Sequence, residues 1–227
     1  MQYEIGHRPE FSMLAVHLNQ GESVVAESGA MVAMTDRVDI KTSARGGVWK
    51  ALKRAVVGGE SIFQNTFTAT ADGQHVKFSP PTMGDLVQYD LQGSMLLLQS
   101  RAYVASAPEV TLDTRWEGFK GFFSGNGLFL LKVEGTGPVF FSTYGAVQPI
   151  QVDGSMVVDT GHIVAFEPSL QYRVRSVGGM KSLFFSGEGL VAEFSGQGRV
   201  WMQTRRPSRL AEFLHPYRRV ESSSSSD

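Results

Sequence analysis

The chain contains no cysteine, which excludes disulfides, thiolate metal sites and a cysteine nucleophile. Charge is scarce: 19% of residues are charged and the net charge is −1. A surface so close to neutral provides no overall field for nucleic acid or an anionic membrane. Long apolar runs are also missing. Leu128-Phe129-Leu130-Leu131 is among the longest, far short of the ~20 residues of a membrane-spanning helix. The first ten residues include Glu4, His7, Arg8, Pro9 and Glu10, which interrupt any signal-peptide core. A soluble protein is expected.

Familiar catalytic signatures are absent too. No Gly-x-Ser-x-Gly and no Gly-x4-Gly-Lys-Ser/Thr occurs. The histidines His7, His17, His75, His162 and His215 show no metal-ligand spacing in sequence. Gly125-x-Gly127, Gly135-x-Gly137, Gly187-x-Gly189 and Gly196-x-Gly198 are each half of a dinucleotide fingerprint. They lack the third glycine and a following helix, and read as bulges or turns that need φ > 0. Gly127 and Gly189 are therefore expected to serve folding and not catalysis.

What is present is glycine, 25 of 227 residues, and a hydrophobic content of 42%. The glycines punctuate a repeat. Gly21-Glu22-Ser23-Val24-Val25-Ala26-Glu27-Ser28-Gly29-Ala30-Met31-Val32-Ala33 returns as Gly93-Ser94-Met95-Leu96-Leu97-Leu98-Gln99-Ser100-Arg101-Ala102-Tyr103-Val104-Ala105. It returns again as Gly154-Ser155-Met156-Val157-Val158-Asp159-Thr160-Gly161-His162-Ile163-Val164-Ala165. Ser28, Ser100 and Thr160 correspond, 72 and 60 positions apart. A second block follows each copy, with Gly59, Gly125 and Gly187 equivalent. Repetition of this kind sets architecture before any single residue does.

Between the blocks, runs rich in Val, Phe, Tyr and Thr are bounded by Gly, Asp, Asn or Pro, the signature of strands. Ile163-Val164-Ala165-Phe166 is apolar on both faces, as in a strand covered on both sides. Asp72-Gly73 predicts a hairpin between Thr66–Thr70 and His75–Phe78. The reading is an all-β domain over 1–206, a β-sandwich or barrel of three repeats at about 10–82, 83–145 and 146–204. The first repeat is longer, and Trp49, Leu52 and Val56 share a face of one short inserted helix over 49–57. A short helical extension over 207–220 is expected, capped by Ser208, carrying Leu210, Phe213 and Leu214 and stopping before Pro216. Residues 221–227, with five serines, predict a disordered tail.

Two sets of polar residues could carry function. Glu27, Gln99 and Asp159 match in register, as do Glu60, Asn126 and Glu188. Three carboxylates around a pseudo-threefold axis could bind a cation, but each middle copy is an amide; a side chain accepting backbone N–H groups in a turn is the plainer reading. The other set is basic. Residues 199–219 hold six arginines against one acid, Glu212. Arg199, Arg205, Arg206 and Arg209 are the partner-binding candidates, because guanidinium grips phosphate or carboxylate in two-point fashion. Ion pairing with another subunit and simple solvation are the alternatives.

The block Gly21–Met34, with Gly58-Gly59-Glu60-Ser61-Ile62-Phe63, Phe185-Ser186-Gly187-Glu188-Gly189-Leu190-Val191 and the closing Gln203-Thr204, resembles a known family. It is the bacterial domain-of-unknown-function family related to the mitochondrial biogenesis protein of the altered-inheritance-of-mitochondria type. The resemblance implies a β-repeat fold similar to that of the tryptophan-RNA-binding attenuation protein, with no enzymatic activity, cofactor or catalytic residue to carry over. Eukaryotic relatives are mitochondrial; this chain lacks an Arg/Ser-rich transit segment, which implies a bacterial cytoplasmic member. The leading expectation is a non-enzymatic homo-oligomer, trimer or higher, acting as scaffold or binding protein without cofactor. RNA or anion binding by a ring, and a β-barrel metal-dependent enzyme, are the alternatives.

Overall fold

The computed structural model describes residues 1–44, 63–113, 130–176 and 190–218. The predicted helix over 49–57, Gly59, Gly125, Gly127, Gly187, Gly189, the acids Glu60 and Glu188 with Asn126, and the tail over 221–227 lie outside the described residues.

The fold is built almost wholly of strands, as the short Val/Phe/Tyr/Thr runs predict. They are β1 (Gln2–Gly6), β2 (Met13–Leu18), β3 (Ser23–Glu27), β4 (Met31–Met34), β5 (Val38–Ala44), β6 (Phe63–Ala69) and β7 (Gln74–Phe78). There follow β8 (Leu86–Gln99), β9 (Tyr103–Ser106), β10 (Thr111–Asp113), β11 (Leu130–Ser142), β12 (Val147–Asp159), β13 (Ile163–Phe166), β14 (Gln171–Ser176) and β15 (Leu190–Gln203). One four-stranded sheet runs β1-β2-β7-β4. A larger sheet runs β12-β15-β13-β8-β11-β9-β3-β6-β5, with β10 on β11 and β14 on β15. Both sheets are open, so the described strands close no barrel.

The Val-Ala signature has a structural meaning. Met31 pairs with Phe78 and Ala33 with Lys77, leaving Val32 as the extra residue of a bulge. Tyr103 pairs with Phe141 and Ala105 with Phe140, leaving Val104. Ile163 pairs with Met202 and Ala165 with Trp201, leaving Val164. The extra residue puts the valine and the following alanine on one face, Val104 with Ala105 and Val164 with Ala165, while Tyr103 and Ile163 face another core layer, and it sharpens the local twist. Ser100–Ala102 and Thr160–His162 form the 3-10 turns that lead into two of these strands.

The Asp72-Gly73 hairpin does not form. β6 pairs with β3 and β5, whereas β7 pairs with β2 and β4. Gly73, at φ 72°, instead turns the chain from one sheet into the other. The cause is burial: Phe67 on β6 and Phe78 on β7 meet edge to face at 5.2 Å inside the layer between the sheets. Side-by-side pairing would separate these two faces, while folding one strand over the other buries both. The strand expected to be covered on both faces is so: every residue of Ile163–Phe166 is buried, and so is every residue of Tyr103–Ser106.

The C-terminal helix α1 spans Pro207–Leu214, with Arg206 as its N-cap. Ser208 therefore lies inside the first turn and is not the cap. Pro207 opens the helix because its fixed φ suits that position and its missing N–H would have no partner there. A 3-10 turn over His215–Tyr217 follows the helix.

Candidate functional site

The basic end departs from β15 and is anchored where several strands start. Phe11 bridges to Gly84, and Gly84 to Gly145. Gly145 donates to the Met83 carbonyl at 2.9 Å, and Arg205 N–H donates to the Tyr144 carbonyl at 3.1 Å. Gly84 is required here: a Cβ would collide with the Thr143 carbonyl oxygen. Gln203 sews this region together. Its Oε1 accepts from Tyr144 N–H at 2.9 Å, its Nε2 donates to the Gly161 carbonyl at 3.1 Å, and its own carbonyl lies 2.7 Å from His162 Nδ1.

The four candidate arginines occupy different environments. Arg206 forms an ion pair with Asp159 at 2.7 Å, each side chain 17% exposed, and its buried Nε has no hydrogen-bond partner among the described residues. It holds the root of α1 to the turn after β12. Arg199 is exposed on β15, its guanidinium 5.5 Å from the Trp201 ring centroid, within cation–π range. Arg205 is exposed. Arg209 is exposed on α1 and pairs with Glu212 at 3.1 Å. Thus Arg205 and Arg209 sit at the surface of the arm, Arg199 on the sheet, and Arg206 in its root. Beside them α1 buries none of its residues, and Leu210, Phe213, Leu214 and Tyr217 are all exposed.

The first matched set does not converge. Glu27, Gln99 and Asp159 end β3, β8 and β12, three strands that are not neighbours in the sheet. Asp159 accepts the Gly161 N–H at 2.7 Å through Oδ1 and holds Arg206 through Oδ2. His17 and His75 face each other on β2 and β7, ring centroids 6.3 Å apart. Their juxtaposition needs tertiary register and has no signal in the spacing of 58 residues. Among the described residues no three His, Asp or Glu side chains gather as a metal-holding set.

Sequence reasoning also missed Asp85. It is buried, and receives Arg8 Nε and Nη2 at 2.7 Å each, Ser12 Oγ at 3.0 Å and Leu86 N–H at 2.8 Å. Burial opposes its ionisation, but these donors outweigh it and hold the carboxyl below the usual carboxylate range. Arg8 also borders a shallow groove of about 450 Å³ walled by Tyr3, Ile5, Val87 and Trp201. Among the described residues no carboxylate or histidine lines that groove.

Comparison with known proteins places this architecture. A curated relative, an uncharacterised protein of Streptococcus pyogenes serotype M6, is 29% identical, covering 96% of this chain and 91% of that protein. The X-ray crystal structure of a Streptococcus pyogenes protein superposes with a TM-score of 0.79 at 27% identity, covering 96% of this chain and 99% of that one. The family model described as mitochondrial biogenesis AIM24 matches residues 3–205. The signature glycines, the strand-rich fold and these matches agree, and the chain belongs to the mitochondrial biogenesis AIM24 family.

Proposed function

We propose that this chain is a non-enzymatic, homo-oligomeric scaffold of three β repeats that binds its partner through the C-terminal arm. The repeat reading is supported by strand pairing: β9 and β10 both lie on β11, as β13 and β14 both lie on β15. Val32, Val104 and Val164 add their recurring bulges.

The observation that carries the binding role is α1. Leu210, Phe213, Leu214 and Tyr217 follow i, i+3, i+4, i+7 spacing and lie on one helical face. None is buried, and Arg205, Arg209 and Arg218 are exposed around them. An arm with an uncovered apolar stripe and a basic border suits a partner with an anionic rim. The anionic partner is a protein in this reading; RNA, whose phosphates the exposed Arg199, Arg205 and Arg209 would grip, is the second.

Native mass spectrometry of protein purified from its own host tests the proposal. The full chain should come off as a homo-oligomer with a bound partner, and a chain ending at Arg206 should lose that partner. Partner capture should weaken with salt. Retention of the same partner by the shortened chain would place binding elsewhere, and ribonuclease-sensitive retention would favour RNA.

A further inference from the structure

Two junctions inside the chain use one geometry, and its third occurrence is unmade. β3 pairs with β9 through Val25 opposite Ser106 and Ala26 opposite Ala105. β8 pairs with β13 through Leu97 opposite Phe166 and Leu98 opposite Ala165. In sequence register Val25, Leu97 and Val157 correspond, as do Ser106, Phe166 and Met34. The third junction would therefore place Val157 of β12 opposite Met34 of β4, and Val158 opposite Ala33. Among the described residues β12 pairs only with β15, and β4 only with β7. Each is the last strand of its sheet.

Burial marks the same two edges. Val104 and Val164, in the strands that make junctions, are 1% and 0% exposed; Val32, in the strand that does not, is 57% exposed. Leu97 is 2% exposed where its counterpart Val157 is 48% exposed. Met31, next to Val32, is also exposed. An apolar edge strand with open backbone donors and acceptors is a template for another strand, and here each edge has the residues that the other is built to meet.

We infer that β4 of one copy pairs with β12 of a second copy, head to tail, repeating the junction already made twice within the chain. This rests on the oligomeric part of the reading above. The occupant is a second copy because the two edges are complementary to each other and different from each other. Such a contact is heterologous, so it closes into a ring or extends, according to the rotation per copy. Sheet continuation supplies the backbone bonds, and Val32, Met34 and Val157 supply apolar cover.

Single-edge variants test it by light scattering at micromolar concentration. Val32→Lys and Val157→Lys sit at exposed positions, so each chain should keep its circular dichroism spectrum. The unaltered protein should be larger than its 24.8 kDa chain, and each variant should run as a monomer. An equimolar mixture of the two variants retains one good edge of each kind, and should give a dimer and nothing larger. If both variants stay oligomeric, the edge assignment falls while the oligomeric reading stands. If the unaltered protein is itself a monomer, both fall. If only Val157→Lys dissociates, the contact is symmetric through β12 and the head-to-tail arrangement is overturned. Since the chain has no cysteine, Met34→Cys with Val157→Cys provides a clean cross-link. A ladder of covalent multimers is expected on a non-reducing gel, and a disulfide within one chain would overturn the inference.

Discussion

Arg8 and Asp85 lie 77 positions apart in sequence and meet in a two-point ion pair, Nε to Oδ1 and Nη2 to Oδ2 at 2.7 Å each. The pair ties the loop between β1 and β2 to the start of β8. Its carboxylate side is buried, while the Arg8 side chain is 50% exposed. Arg8→Ala leaves Asp85 with Ser12 and Leu86 as donors, and should destabilise by about 1–3 kcal/mol, toward the low end because solvent screens the guanidinium. Asp85 has a lowered folded-state pKa, so its contribution is present above the unfolded carboxyl value of ~3.9 and fades as pH falls below it. Urea titrations at a series of pH values should therefore show the two proteins converging in acid. A gap that stays constant to low pH would show that the ion pair contributes nothing pH-dependent.

Tyr172 gives the opposite slope. Packed on Phe166 at 5.3 Å, its hydroxyl is pushed up to about 12 by burial. A raised value protects the neutral form, so this contribution is complete below the unfolded tyrosine value of ~10 and is lost as pH rises toward 12. Tyr172→Phe should flatten the alkaline decline in melting temperature. An unchanged alkaline limb would mean that other groups govern it.

Within the basic end, stability and binding should separate. Asp159→Ala removes the partner of Arg206 and the acceptor for the Gly161 N–H, and should cost on the order of 1–3 kcal/mol. Arg206→Ser should lower the melting temperature as well. Arg205→Ser with Arg209→Ser changes exposed side chains only and should leave melting nearly untouched while weakening partner capture. A melting temperature equally low in that double variant would assign the exposed arginines to structure.

The bulges predict a strong asymmetry between deletions. Removing Val164 would take out a fully buried side chain and with it the bulge that lets Val164 and Ala165 pack into one core layer. That chain should give little soluble protein. Removing Val32, in an edge strand and exposed, should be milder, and soluble yield with far-UV circular dichroism compares the two. Equal tolerance would show that the extra valine is dispensable.

Much of the architecture was legible without coordinates. Glycine turns, Val/Phe/Tyr-rich runs and the recurring Val-Ala signature specify strands and their recurrence, because local backbone preference and period-2 patterning act over a few residues. The helix Pro207–Leu214 was legible for the same reason, although its cap is Arg206 and not the expected Ser208.

The candidate sites were legible only as residue types. Six arginines in residues 199–219 show a basic end, but nothing local distinguishes Arg206, held by Asp159, from Arg205 at the surface. The same limit hides Arg8 from Asp85 and His17 from His75, since such meetings depend on register between strands distant in sequence. Asp72-Gly73 illustrates the boundary most plainly. The dipeptide determines that the chain turns there; whether the flanking strands pair or part into two sheets was decided by the burial of Phe67 against Phe78, an energy that exists only once the sheets pack.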